Sequence, residues 1–234
     1  MYSYKPQMAQ VEKFASPLGL LGGTFDPVHF GHLRLAEEAK TALGLEKVTW
    51  IPAGQPPHRS TPGASARHRL EMVRLAIAGN PGFTLDDGET LSEAKSYSVT
   101  TLSRLRNLHG AEKPLVLLLG ADAFVGLPTW HCWQELFSLA HLAVATRPGY
   151  ALEPEALPPA LQNEFRARVS SDAKDLGKAP AGRIVAFPIT SLAISGTAIR
   201  NALAADDSAR YLLPDTVLDY IAEHRLYQNP ATGH

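Results

Sequence analysis

The sequence has one cysteine, Cys132, in 234 residues, so no disulfide can form within the chain, and the cytoplasm, a reducing compartment, is the expected setting. It also lacks a long hydrophobic run. The strongest, Leu115 to Leu119, falls far short of the about 20 residues that cross a bilayer, and Met1 to Gln10 has neither the basic segment nor the apolar stretch of a secretion signal. No charge of one sign dominates. With 22 Lys and Arg against 23 Asp and Glu, the formal charge is −1, which leaves no basic footprint for nucleic acid or an anionic membrane. Glycine and proline, 18 of each, are too few for a low-complexity polymer.

What is present is a regular alternation. Short apolar runs at Leu18–Leu21, Val48–Ile51, Leu115–Leu119, Leu142–Ala145 and Ile184–Phe187, with Phe83–Leu85 as a further candidate, read as buried strands. Amphipathic stretches separate them: Leu33, Ala36, Ala39 and Leu43 share one helical face, Leu70, Val73 and Ile77 another, and Val99–Leu108 also reads as a helix. This pattern predicts an α/β fold, a doubly wound, Rossmann-like parallel sheet with helices on both faces. The expected organisation is a loose arm over 1–16, a single domain over 17–228 and a tail over 229–234. Gly54–Ser65, rich in proline, reads as a long loop, and Pro148–Gly182 as a surface excursion with some helix. Thr197–Ala204 and Asp215–Glu223 read as closing helices, the second preceded by Pro214.

The densest local signal runs from Gly22 through Gly23, Thr24, Phe25, Asp26, Pro27, Val28, His29, Phe30 and Gly31 to His32, between the first strand and the first helix. In an open parallel sheet that is the carboxyl end of a strand, where ligands bind. Paired glycines let backbone N–H groups approach an anion, and the helix start adds unpaired donors. His29 and His32, three apart, can face the same anion. A metal site would need a third ligand, and no HExxH or Cys/His cluster supplies one. The segment is neither a GxGxxG fingerprint nor a P-loop. It resembles the signature of the nucleotidyltransferase superfamily, whose His-x-Gly-His element contacts the phosphates of a nucleoside triphosphate. That resemblance implies adenylyl or related transfer, a fold of the nucleotidyltransferase type, and ATP contacts from Gly22, Gly23, Thr24, Phe25, His29 and His32.

A second element, Ile194-Ser195-Gly196-Thr197-Ala198-Ile199-Arg200, follows a strand and opens a helix. Its hydroxyls can cap the helix or donate to a phosphate, and Arg200 can reach the same anion; an ordinary N-cap with a solvated arginine is the bland alternative. It resembles the Ile-Ser-Ser-Thr-x-x-Arg element of the nicotinamide and nicotinate mononucleotide adenylyltransferases, with Gly196 in place of a serine. The resemblance adds Ile194, Ser195, Thr197 and Arg200 to the ATP site. Between the two elements, Gly120 and Asp122 follow the strand Leu115–Leu119, are expected on the same edge and are assigned to the ATP site, where the Asp122 carboxylate can accept from ribose hydroxyls or help position a hydrated cation; a helix N-cap is the bland alternative. Trp130, near Pro128 at a helix start, is the better candidate for a ring face, while Trp133 and Cys132 read as packed residues.

The whole stretch is similar to the bacterial nicotinate-nucleotide adenylyltransferase family, through Trp130, Ile51 to Arg59, Ser96-Tyr97-Ser98 and Arg147-Pro148-Gly149. In that family the residue matching Trp130 stacks on a pyridine ring. The resemblance implies an acceptor site of Ser96, Tyr97, Ser98, Trp130 and His131, a phosphate-closing loop carrying His58 and Arg59, and a catalytic set of His29, His32 and Arg200. Ser98 and Thr100 stand where relatives often carry Thr and Asp. The implied partners are ATP with Mg²⁺, the ion held mainly by phosphates and water with no metal-binding side chain, and nicotinate mononucleotide. Neither nucleic acid nor membrane is implied, and a homo-oligomer is left open. Competing readings are an adenylyltransferase acting on nicotinamide mononucleotide or phosphopantetheine, and a nucleotide-binding module without catalysis.

Overall fold

In the computed structural model, which describes residues 16–56, 61–147, 149 and 152–228, seven strands form one sheet. The strands are β1 (Leu18–Gly23), β2 (Lys47–Pro52), β3 (Phe83–Leu85), β4 (Leu115–Gly120), β5 (His141–Thr146), β6 (Val169–Ser170) and β7 (Ile184–Pro188). Their order is β3-β2-β1-β4-β5-β7-β6 and every pairing is parallel. The sheet is therefore the doubly wound one that the alternation of apolar runs predicts.

Around it lie α1 (Phe30–Ala42), α2 (Ala66–Ile77), α3 (Ser98–His109), the short α4 (Ala121–Val125) and α5 (Leu136–Leu139), α6 (Pro159–Arg168), α7 (Gly196–Ala204) and α8 (Asp215–Glu223). The two-residue period of β4 shows how the layers form. Val116 and Leu118 face one core with α1, α2, α7 and α8, whereas Leu115, Leu117 and Leu119 face the other with α3, α4, α5 and α6. A strand buried on both faces has no polar positions to alternate, which is why it reads as a continuous apolar run.

Strand order places the site. β1 lies between β2 and β4, so the chain leaves β1 toward one half of the sheet and leaves β4 toward the other. The two departing loops diverge and open a crevice at the carboxyl ends of β1 and β4.

Three expectations need correction. In α2 the buried side chains are Arg69, Met72, Val73 and Ile77; Leu70 lies on the outer side, beside Tyr220 and His224, because Arg69 takes the inward position to serve buried carbonyls. The segment 152–182 is more than a surface excursion. It supplies α6 and the edge strand β6, and it buries Leu157, Leu161, Phe165 and Leu176. Trp130 ends a 3₁₀ turn at Leu127–Thr129 instead of starting a helix. The arm over 1–15 and the tail over 229–234 lie outside the described residues. Among the described residues no helix is long and apolar enough to cross a membrane.

Candidate active site

The turn after β1 turns sharply at Phe25, whose φ is +50°. This sends the Phe25 ring into the core, 5.3 Å from the Trp50 ring and 5.1 Å, edge on, from the His32 ring. Phe25 is 2% exposed, so toward a ligand it can offer only its backbone. His29 has extended backbone and sits at the N-cap of α1. Its ring stacks on that of His32 at 3.8 Å.

The two imidazoles are not equivalent. His29 is buried, its Nδ1 has no hydrogen-bond partner among the described residues, and burial lowers its pKa from 6.5 to about 4. It is neutral in the neutral pH range. His32 Nδ1 accepts a hydrogen bond from the His29 backbone N–H at 3.3 Å. An accepting Nδ1 leaves the proton of the neutral ring on Nε2, which makes Nε2–H a donor.

Asp26, 8% exposed, gathers the surrounding loops. Its carboxylate accepts from the Gly63 N–H (2.7 Å), the Ala64 N–H (3.1 Å) and the Tyr227 hydroxyl (2.7 Å). Its main-chain carbonyl accepts from Arg200 Nη1 at 2.7 Å, and that nitrogen is 3.6 Å from Asp26 Oδ2. Arg200 also donates to Thr197 Oγ1 at 3.3 Å, while Ser195 Oγ caps α7 by accepting from the Ala198 N–H. The first and last motifs of the sequence thus meet at one point. Gly196 is placed where an added Cβ would come 2.9 Å from the Asp26 carbonyl oxygen, so a serine there would have to push the α7 start away.

Arg69 is the largest feature that sequence reasoning missed. It is 1% exposed and donates to the carbonyls of Ala64 (3.2 Å), Thr24 (2.7 Å) and Gly54 (2.9 Å). Burial lowers its pKa, and the nearby Asp26 charge opposes that shift. The turn after β1 and both ends of the loop after β2 are tied to one guanidinium. A residue with the heptad-like spacing of a core position but a charged side chain gives a faint signal of this kind. Glu38 was also missed. It accepts from the Thr190 N–H (2.6 Å) and hydroxyl (2.7 Å), linking α1 to the segment that leads into Ile194.

Across the end of β4 lies a cleft of about 260 Å³ lined by Pro56, Ser96, Tyr97, Ser98, Asp122, Ala123, Gly126, Thr129, Trp130 and His131. The Tyr97 and His131 rings are 4.5 Å apart. Trp130 is half-buried with one side on the second core, and Trp133 packs edge-on to Phe137 at 6.2 Å. Ser96 Oγ accepts from the N–H groups of Gly54 and Gln55, so this serine anchors the loop after β2. Asp122 is exposed on the first turn of α4 and faces this cleft. Cys132 is exposed beside it, with φ of +49°, instead of packed. His58 and Arg59 lie outside the described residues. Among the described residues no group of three His, Cys, Asp or Glu could hold a metal ion.

Comparison with known proteins follows the same lines. The cytidylyltransferase-like family model matches residues 20–202. The chain is 60% identical over 215 residues to the probable nicotinate-nucleotide adenylyltransferase of Dechloromonas aromatica, covering 92% of this chain and 99% of that one. It is 47% identical over 214 residues to the similarly named protein of Acidithiobacillus ferrooxidans, covering 91% and 96%. The fold matches the Plasmodium falciparum nicotinic acid mononucleotide adenylyltransferase solved with NaAD, with a TM-score of 0.68, 16% identity, and coverage of 91% of this chain and 97% of that one.

Proposed function

Because the chain belongs to the cytidylyltransferase-like family, and within it to the nicotinate-nucleotide adenylyltransferases, we propose that it transfers the adenylyl group of ATP to nicotinate mononucleotide, giving nicotinate adenine dinucleotide and pyrophosphate in the cytoplasm. The observation that carries this reading is the meeting of Arg200 with the turn that holds His29 and His32, beside a cleft that presents Trp130.

The attacking atom is a phosphate oxygen of the mononucleotide. Its second pKa of about 6 leaves it mostly dianionic at neutral pH, so no general base is required. The new bond forms to the α-phosphorus of ATP. The bond from that phosphorus to the oxygen bridging to the β-phosphate breaks, and its electron pair leaves with pyrophosphate.

The barrier is chiefly electrostatic. Two like unit charges ~4 Å apart repel by roughly 4 kcal/mol at an effective dielectric near 20, and the reaction brings two polyanions together. In this reading the N–H groups of Gly22 to Thr24 cradle the triphosphate, with Gly120 and Ile194 beside the nucleotide. His32 donates Nε2–H to the bridging oxygen as charge builds there. His29 supports it: being neutral and stacked, it holds the His32 ring without adding a competing proton. Arg200 draws on the same triphosphate while Asp26 and Thr197 fix its direction. Catalysis is positioning and charge stabilisation.

Mg²⁺ enters with ATP as part of the substrate, held by phosphate oxygens and water. This suits the donor set, because the Asp26 carboxylate is already engaged by two N–H groups and a hydroxyl. On the acceptor side, Trp130 offers its face to the pyridine ring. Tyr97, Ser98, His131 and Ser96 line the cleft, and Asp122, assigned to the ATP side, lines it as well.

The test is pyrophosphate release from ATP with nicotinate mononucleotide, run beside its amide and phosphopantetheine. A higher kcat/KM for nicotinate mononucleotide is expected. Preference for the amide or for phosphopantetheine would replace the proposed acceptor, and nucleotide binding without pyrophosphate release would establish the non-catalytic module.

A further inference from the structure

We propose that Tyr227 is a positioning residue for this transfer reaction: from beyond α8, it fixes Asp26, whose carboxylate holds the 61–64 end of the proline-rich loop and whose main-chain carbonyl receives Arg200. The inference rests on the functional reading above, since it assigns Arg200 to the ATP side.

Three observations converge on one junction. The Tyr227 hydroxyl donates to Asp26 Oδ1 at 2.7 Å, 201 positions away in sequence. A Cβ added to Gly63 would lie 3.1 Å from the Tyr227 ring and 3.2 Å from Arg200 Cδ. The loop backbone is therefore pressed against both side chains while its N–H bonds Asp26 Oδ2. Arg200 then donates to the Asp26 carbonyl. One phenol, one carboxylate, one guanidinium and one glycine backbone share a common contact.

The C-terminal segment adopts unfavourable backbone to reach it. Arg225 and Tyr227 have φ of +50° and +63°, a region that side-chain-bearing residues seldom occupy. Burial and the Asp26 carboxylate keep the phenol protonated, so it remains a donor across the working pH range. The Asp26 carboxylate inside a phosphate-binding turn would by itself repel ATP. Its three hydrogen bonds and the Arg200 guanidinium 3.6 Å away offset that repulsion and make it the anchor of the loops.

Tyr227→Phe keeps the ring and removes only the hydroxyl. The expected result is a fall of about tenfold in kcat/KM for ATP, the size associated with losing a hydrogen bond to a charged group, with KM for nicotinate mononucleotide changed less than twofold. The effect should be coupled to Asp26: adding Tyr227→Phe to Asp26→Ala should lower kcat/KM little further, because both changes remove the Tyr227–Asp26 contact. Additive losses would overturn the proposal. So would a Tyr227→Phe enzyme with unchanged ATP kinetics, even with a lowered Tm, since that marks a purely structural role. Circular dichroism of each variant verifies folding, and Tyr227→His, which can still donate, should recover part of the loss. If the unaltered enzyme releases no pyrophosphate, the failure belongs to the functional reading and not to the junction; binding of ATP by the Tyr227→Phe protein, measured by calorimetry, then still decides, with unchanged affinity overturning it.

Discussion

Arg200 donates to the main-chain carbonyl of Asp26 at 2.7 Å, across 174 positions of sequence. The contact joins the loop after β1 to the start of α7, so that a guanidinium and a pair of imidazoles belong to the same crevice. A main-chain acceptor cannot be removed by mutation of its side chain. The direction of Arg200 is consequently set by the backbone path of the turn, and anything that shifts the turn shifts the arginine.

His32→Ala should lower turnover at saturating substrates by at least tenfold, or ~1.4 kcal/mol of barrier, because it removes the Nε2–H donor while His29 stays in place. Steady-state pyrophosphate release measures it. A loss smaller than tenfold would remove His32 from the chemical step.

Stability should fall on mild acidification. Burial lowers the pKa of His29 from 6.5 to about 4, and that of His141, whose ring bonds Ala179 and Arg183, is also lowered by burial. The unfolded chain therefore binds more protons below about pH 6.5, and folding weakens as pH falls from there toward 4. Between pH 7.5 and 5.5 His29 removes about 1 kcal/mol, and His141 acts in the same direction. Urea titrations at the two pH values should show the lower midpoint at 5.5, and His29→Asn should make the difference smaller; an undiminished difference would mean His29 is not its source.

Arg69→Met should destabilise the protein by about 3 kcal/mol, since it leaves the carbonyls of Thr24, Gly54 and Ala64 without their shared donor. Chemical unfolding gives the number. A change below about 1 kcal/mol would show that water replaces the guanidinium there.

Gly196→Ser restores the hydroxyl that the resembling element carries, yet it should impair the enzyme. The new Cβ would meet the Asp26 carbonyl at 2.9 Å and push α7 outward, loosening Arg200. A fall of about threefold or more in kcat/KM for ATP is expected, and a gain would contradict the crowding argument.

Trp130→Ala should raise KM for nicotinate mononucleotide about tenfold through lost ring stacking, with KM for ATP within twofold of the original. A shift confined to ATP would move Trp130 out of the acceptor cleft.

The sheet was legible because its strands are buried on both faces and announce themselves as apolar runs; Leu115 to Leu119 needs no tertiary information to be read. The glycine-rich turn and the Ile194–Arg200 element stand out through their local chemistry, and the bond from Arg200 to Asp26 joins the two. Arg69 was not legible, because helical periodicity assigns inward positions to apolar residues, and only the three carbonyls waiting in the interior explain a guanidinium there. Tyr227 was illegible for another reason: its partner, Asp26, lies 201 positions away, and nothing in a terminal tyrosine declares so distant a contact. The short β6 escaped notice because Val169–Ser170 is two residues long and half of it is polar.

The order in which the pieces emerge from the ribosome gives this junction a further meaning. The turn after β1 is translated well before Arg200 and Tyr227, which lie 174 and 201 positions beyond Asp26. A nascent polypeptide can pair β1 with β2 and bond Asp26 to Gly63 and Ala64 while Arg200 and Tyr227 are still missing, so this junction is completed well after the sheet has begun to form.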